Sequence, residues 1–449
     1  MNNNTTTLRD RAGMRWSALF IVAFTMMAAY YVNDIMAPLK TMLEEKLLWT
    51  SGEFGFFTGA YSFLNVFLLM LIWGGLILDR FGIRFTGLTA AILMVGGTAA
   101  EYAAITRFGG TAQTVMGYKL DVFLASAGYS VFGVGAEVAG ITVTKIIAKW
   151  FHGKELALAM GVQVALARIG SQVAYAVALP IARAYRLDTP LLIGGILLVG
   201  GLVAFIIFSF MDKKLDTQVQ ASPDNVDEKF SFADVLSVVK NPGFWLIALL
   251  CVLFYSCVFP FQKFATELMT SKYGVSESVA GAVAGLPALG ALLLTPVFGG
   301  MIDRVGRAAS IMMLGSAMLI AVHATYAMPF IHSSIIAVAL MIVLGIAFSL
   351  VPSAMWPSVA KIFPVKQLGT AYALIFFIQN IGLWGIPALI GWVLEAYCQQ
   401  PDGCYDYTLP MIIFTAIACL SLVVALLLKM ADRRFGYHLE EPNVKHVNS

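Results

Sequence analysis

Charge is what this 449-residue chain has least of. Charged residues make up 12% of it, where a water-soluble domain carries about 25%. That leaves too little polar surface to wrap a globule in water. The 29 basic and 26 acidic residues give a net charge of +3, so no cationic excess invites nucleic acid. Cysteine is scarce as well. Five in the whole chain exclude a disulfide scaffold and a cysteine-based metal module. Signature motifs of chemistry are missing too. No G-x-x-x-x-G-K-S/T loop is present, so ATP is excluded as the energy source. There is no H-E-x-x-H, and the nearest approach to G-x-S-x-G, running from Gly128 to Phe132, lacks its final glycine. The five histidines are scattered, so no metal and no cofactor is expected, and an enzyme is the weaker class.

What the chain has is apolar length. Hydrophobic residues reach 59% and the mean hydropathy is +0.81. A bilayer-spanning helix takes roughly 20 mostly apolar residues. Twelve such runs are found, at 16–39, 54–78, 85–106, 117–148, 155–183, 190–211, 242–270, 278–301, 308–331, 333–362, 369–396 and 408–431. The first is too long for a signal-peptide core and has no cleavage pattern after it. With both termini inside, 19 basic residues fall on the inner side and 7 on the outer, while Lys145, Arg168 and Lys263 lie within runs. That asymmetry places both ends in the cytoplasm. The fold class expected is an all-α membrane protein with twelve transmembrane helices in two pseudo-symmetric six-helix bundles. Its parts are a tail at 1–15, a bundle at 16–211, a cytoplasmic linker at 212–241, a second bundle at 242–431 and a tail at 432–449. Met1–Thr7, rich in Asn and Thr, is expected to be a disordered head.

The halves are duplicated. GGLILDRFGIR (74–84) follows the second run and GGMIDRVGR (299–307) the eighth, so Asp79 and Asp303 are 224 residues apart. Phe151, Lys154 and Leu156 recur 212 residues on as Phe363, Lys366 and Leu368. Matched turns in two six-span halves indicate a parallel repeat, and transporters of that build bind substrate near the midplane. The pattern Gly75-x-x-x-Asp79-Arg80-x-Gly82, with its copy around Asp303 and Arg304, resembles the loop motif of the major facilitator superfamily. There the glycine permits close helix approach. The aspartate accepts hydrogen bonds from a neighbouring helix N-terminus, holding the cytoplasmic side closed.

Charges inside spans are costly and functional by default. Arg168 cannot shed its proton and needs an anion, and Glu137 in FGVGAEVAG (132–140) is the candidate. Glu137 stands 14 residues before Phe151 and Arg168 stands 17 after it. Both therefore lie roughly 21–26 Å from the turn, at similar depth. Two readings follow, a substrate site or a structural ion pair serving helix packing. Gly133 and Gly135 read as close-approach positions for helices or substrate. Asp34 and Lys263 occupy corresponding spans and could face each other across the outer mouth, as a gate pair or as contacts for the charged ends of a substrate, or else snorkel to the interface. Lys145 is expected to snorkel inward. Tyr31, Tyr61, Asn65, Trp356, Gln379 and Asn380 are polar or amphipathic span residues, ligands or interhelical contacts. Asn380 is the repeat counterpart of Arg168. Cys398 and Cys404 border an outer loop and form a small disulfide if that side is oxidising. Cys251, Cys257 and Cys419 read as apolar fillers.

Beyond the loop motif, WFHGKELALAMGVQVALARIGS (150–171), YYVNDIMAPLK (30–40), VFPF (258–261) and WPSVAKIFPVKQLGTAYALIFFIQNIGL (356–383) closely resemble the lysosomal dipeptide transporters of the major facilitator superfamily domain-containing protein 1 family. The resemblance implies a uniporter of short peptides in which Glu137 and Arg168 hold the peptide's charged ends. Departures are visible. The family's Gly-Gly-Glu-Ser reads Gly135-Ala136-Glu137-Val138 here, and Lys263 and Lys145 stand where uncharged residues are expected. No dileucine sorting signal is found near the N-terminus and no outward Asn-x-Ser/Thr, so a bacterial inner membrane is expected rather than a lysosome. The E-x-x-E-R arrangement of proton-coupled peptide transporters is missing, and downhill uniport follows. The alternatives are an organic-anion or monocarboxylate transporter, with Glu137 only a partner to Arg168, a proton-coupled peptide symporter, and a non-transporting sensor. The expected partners are a small-molecule substrate and the bilayer.

Overall fold

A computed structural model of the chain describes residues 7–151, 154–219, 232–401 and 403–442. The head before Thr7, most of the acidic middle of the linker and the last seven residues lie outside the described residues. Among the described residues eleven helices are long and apolar enough to cross a membrane, and with one shorter helix they account for the twelve expected runs. The shorter helix has a backbone cause. The second crossing begins as α3 (Ser51–Phe67), one residue short of an eighteen-residue helix, and continues into α4 (Met70–Phe108) past Leu69, whose φ is 53°. Within α4 the helix breaks at Gly82 (φ 78°, ψ 174°), where the second crossing ends and the third begins. Only glycine takes that conformation cheaply, which explains the last residue of the loop motif.

The remaining elements follow the hydropathy. α1 (Ala12–Ile35) is followed by a tight turn through Pro38 into α2 (Lys40–Leu47). Then come α5 (Leu120–Trp150), α6 (Leu156–Ala184) and α7 (Thr189–Val219), with a short α8 (Phe232–Lys240) before the second half. That half holds α9 (Pro242–Ser271), α10 (Glu277–Ala284) with α11 (Leu286–Val305), α12 (Ala308–Ala327), α13 (Ser334–Ile362), α14 (Val365–Tyr397) and α15 (Thr408–Phe435). The eighth run is split at Gly285, ahead of Pro287. Caps mark the starts. Thr50 and Glu53 form a capping box on α3 (3.1 and 2.9 Å), and Asn241 caps α9 ahead of Pro242. Between α4 and α5 a two-residue hairpin, β1 (Thr114–Val115) with β2 (Tyr118–Lys119), turns through Met116 and Gly117 at positive φ.

The duplication is present in the packing. In the first half α1 packs on α6 and α7, and α5 on α3 and α4; in the second, α9 packs on α14 and α15, and α13 on α11 and α12. These are the same pairs under the repeat. The halves meet through α3 against α14 and through α6 against α10 and α11, again related by the repeat. Glycine lets the first seam close. A Cβ on Gly55 would lie 2.9 Å from the Gly391 Cα, and one on Gly391 would lie 2.8 Å from the Gly55 Cα.

The ion pairs Asp34–Lys263, Lys40–Glu267 and Arg183–Glu277 join the halves, all on the face opposite the termini. That far face is closed. On the terminal face Arg15 forks onto Glu155 within the first half (3.0–3.2 Å), and the Thr7 hydroxyl holds the Asp10 carboxyl below its ordinary pKa. Gly391→Val should keep the far face from closing while each bundle still folds. Pulsed electron paramagnetic resonance between labels at positions 185 and 330, on opposite halves, should report a longer distance than in the wild type.

Candidate functional site

Glycines on α5 set where its side chains fall. Gly133 packs against the backbone of Tyr61 on α3, and Gly135 against Ala90 O (2.7 Å to an added Cβ) on α4. Both are thus helix-packing positions. The close fit of α3 brings the Tyr61 hydroxyl to within 3.1 Å of Glu137 Oε1, to which it donates. The Tyr61 ring rests near Tyr129 and Phe132. Glu137 itself is half-buried.

Gly170 does the same for α6, packing against the α1 backbone at Met27 and Tyr31. That approach places the Arg168 guanidinium 5.5 Å from the Tyr30 ring. Two rings from the other half complete its surroundings, Phe348 on α13 at 4.8 Å and Phe259 on α9 at 5.8 Å. Arg168 therefore faces the junction of the halves, held by aromatic faces rather than by a carboxylate. No ion pair to Glu137 is formed, which corrects the expectation that Glu137 supplies its buried anion. Two opposite charges remain, each half-buried and neither neutralised by the other.

The second half contributes an aromatic wall. Trp356 Nε1 donates to the Tyr255 hydroxyl (3.2 Å), Tyr255 stacks on Phe259, and Phe376 stacks on Trp356 with centroids 4.9 Å apart. Tyr372 fixes the wall from behind by donating to Trp356 O (3.0 Å). Gln379 is buried and accepts from the Cys251 thiol (3.4 Å).

Three sequence candidates are buried in packing positions, the second of the two alternatives, rather than facing Arg168. Tyr31 is buried in the first bundle and donates to Pro190 O (3.3 Å); its neighbour Tyr30 is the one beneath Arg168. The helical period of about 100° per residue separates them. Asn380 spends its amide on Phe376 O of its own helix (3.0 Å), so the repeat position does not make it an Arg168 equivalent. Asn65 is fully buried one turn beyond Tyr61, and neither its amide oxygen nor its nitrogen has a partner.

Asp34 and Lys263 do meet. The Lys263 ammonium donates to Asp34 Oδ1 (2.8 Å) and to Asn33 O (2.7 Å), with both side chains about nine-tenths buried. This pairing replaces the snorkelling alternative. Beside it lies a second inter-half pair that the sequence reading missed. Lys40, 1% exposed, donates to Glu267 Oε2 at 2.5 Å and to Glu44 Oε1 at 2.6 Å. Two signals pointed there, Glu267 standing one turn after Lys263 and Lys40 following Pro38 in an apolar stretch. Glu101 was missed as well. It is 1% exposed in α4, and neither carboxylate oxygen has a hydrogen-bond partner. A charge inside the run 85–106 was the signal.

On the terminal face, Asp79 Oδ1 accepts from Lys145 Nζ at 3.0 Å. Lys145 thus pairs with the loop motif rather than simply snorkelling, and Asp79 meets an ammonium rather than the expected helix amides. Arg80 lies over the Phe81 ring, and Gly75 has open space where a side chain would be. In the second copy Asp303 and Arg304 end α11, Gly306 (φ 73°) turns the chain, and Glu440 caps α12 through Ser310 N (2.8 Å). Cys398 and Cys404 are not joined in a disulfide. Backbone hydrogen bonds close their loop instead, Asp406 N to Cys398 O and Gln400 N to Cys404 O, both 2.8 Å. Among the described residues no cluster of His, Cys, Asp or Glu could hold a metal ion.

The chain is similar to proteins of known type along nearly its whole length. It is 28% identical over 442 residues to the human lysosomal dipeptide transporter MFSD1, covering 96% of this chain and 89% of that protein. It is 30% identical over 332 residues to the chicken protein of the same name, covering 72% of each. Among solved structures, a variant of the nucleoside transporter NupG superposes with a TM-score of 0.71 at 15% identity, covering 92% of this chain and 99% of that one. A bacterial homologue of the human lysosomal transporter Spinster, in an inward-facing and occupied conformation, gives 0.66 at 14% identity, covering 95% and 99%. These structural likenesses bear on the fold alone. The Major Facilitator Superfamily model matches residues 19–266 and 262–445, and the chain belongs to that family of transporters.

Proposed function

We propose that this transporter carries short peptides, dipeptides first, down their gradient by alternating access. Glu137 takes the peptide ammonium and Arg168 its carboxylate. The observation that carries this reading is that the two half-buried charges are left unpaired with one another, Arg168 among rings of both halves and Glu137 beside Tyr61. An extended dipeptide zwitterion separates its charges by roughly 5–7 Å. It supplies what each pole lacks, and closing both halves around it neutralises two charges at once. Tyr61 orients Glu137, the rings around Arg168 keep water from its face, and the wall of Tyr255 and Trp356 offers apolar surface to a peptide side chain. The similarity to proteins named as lysosomal dipeptide transporters supports the same substrate class. The basic-residue asymmetry supports termini in the cytoplasm, and the absence of sorting and glycosylation signals supports a bacterial inner membrane. In that orientation the closed far face is the outer one. Asp34–Lys263 acts there as an outer gate, and Asp79, Arg80, Asp303 and Arg304 act on the cytoplasmic side.

Arg168→Ala should weaken dipeptide binding by about 10–100-fold, the value of a lost charge-assisted hydrogen bond of about 1.5–3 kcal/mol. Arg168→Lys should recover little of it, because an ammonium cannot form the planar fork. Calorimetric titration on the purified protein reads both. Near-normal affinity in the Lys variant would remove the forked contact.

Glu137→Gln keeps the shape and removes the charge. It should weaken free dipeptides by more than it weakens their N-acetylated forms, read as thermal shifts over a matched peptide set. An equal loss for both would make Glu137 a structural residue and favour an anion carrier.

Energy coupling is tested in proteoliposomes with equal dipeptide on both sides and an imposed pH gradient. Uniport gives no net accumulation, and counterflow exchange survives collapse of the gradient. Uphill accumulation would overturn it.

A further inference from the structure

The far-face seam holds charges that peptide recognition does not use, and their partners are arranged unequally. Lys40 is held by two carboxylates, one from each half. Glu44 stands one turn along its own helix, and Glu267 belongs to α9 of the other half. A latch needs only the second. Glu267 in turn accepts from the Tyr407 hydroxyl of its own half, and Glu44 accepts from Ser51 at 2.9 Å. Lys263 is built otherwise. Both of its hydrogen bonds go to the first half, to Asn33 O and Asp34 Oδ1. Parting of the halves would strip it of both in a buried place, which is strongly unfavourable for a charge. One acceptor is close at hand on its own helix. Glu267 is four residues further along α9, the spacing at which helix side chains meet.

We propose that the far face opens by an exchange of ion-pair partners within and between the halves. Closed, the pairs are Lys40–Glu267 and Lys263–Asp34, which join the halves. Open, Lys40 keeps only Glu44, which it also holds when closed, and Lys263 turns to Glu267, each pair within one half, while Asp34 keeps the Asn33 amide that reaches it at 2.9 Å. The two lysines and Glu267 thus keep an opposite charge in both states, so the gate is strong without being a trap. This rests on the alternating-access reading, and it gives Glu44 a role that a plain latch would not: it stabilises the open state.

The test uses full-length protein in nanodiscs, labelled at the exposed far-face positions Tyr185 and Phe330, one in each half. Distance distributions are measured in the wild-type and Gly391→Val backgrounds, the second chosen to populate open conformers. Lys40→Gln should raise the far-open fraction. Glu44→Gln should lower it by roughly fivefold, the ratio that ~1 kcal/mol of lost pairing gives, and slow dipeptide flux with the dissociation constant unchanged. Glu44→Asp, whose carboxylate falls one methylene short, should move the population the same way by less and serves if the Gln variant does not fold. A Glu44→Gln population equal to the parent's, or shifted toward open, overturns the exchange. If the populations move as expected but no dipeptide is carried, the substrate reading fails and the exchange stands.

Discussion

A charged group inside a bilayer has to find a partner or reach water, and this protein distributes its few intramembrane charges by that constraint, with buried Glu101 the exception. On the far side they are spent on joining the halves. Lys40 with Glu267, and Lys263 with Asp34, are buried, close and in contact. Nearer the middle the opposite holds. Glu137 has a tyrosine hydroxyl and Arg168 has three aromatic faces, but neither has a countercharge from the protein. Closed pairs seal one face, and nearer the middle Arg168 reaches rings of both halves while Glu137 keeps only Tyr61. Small residues make both possible, since Gly133 and Gly170 set the helices close enough to aim the two poles, and Gly55 with Gly391 lets the seam shut.

The two halves use one packing plan with different chemistry. Corresponding helices pair alike, and each loop motif ends in a glycine at positive φ, Gly82 and Gly306. The poles, however, sit on α5 and α6 of the first half, while the second offers the wall of Tyr255, Phe259, Phe348 and Trp356. An asymmetric ligand with two charged ends and an apolar flank suits such a site. The second loop motif differs as well, because the chain's C-terminal segment lies over it and Glu440 caps the helix that follows.

Much of this was legible in the residues. Apolar runs gave the crossings, because burial in lipid requires about twenty apolar residues whatever the fold. Glu137, Arg168, Asp34 and Lys263 stood out as charges in those runs. What escaped was set by rotation and register, which hydropathy does not carry. Tyr30 and Tyr31 are indistinguishable in sequence, yet one lies under Arg168 and the other turns into the bundle. Asn380 matches Arg168 by repeat position but bonds its own helix. Lys40 lies just past the first run, and its partner Glu267 is 227 positions away, so nothing near it in the chain marks the pair. The break at Gly82 falls between the runs 54–78 and 85–106, whereas the break between α3 and α4 at Leu68 and Leu69 was hidden inside an apolar run.

The central claim is that the unpaired Glu137 and Arg168 are the two ends of a zwitterion site. An electron cryo-microscopy structure of the protein with a bound dipeptide tests it most directly. The account predicts density bridging the two residues, with the peptide ammonium at Glu137, the carboxylate at Arg168 and a side chain against Trp356. A dipeptide bound elsewhere, or Glu137 and Arg168 joined to each other beneath it, would contradict the account.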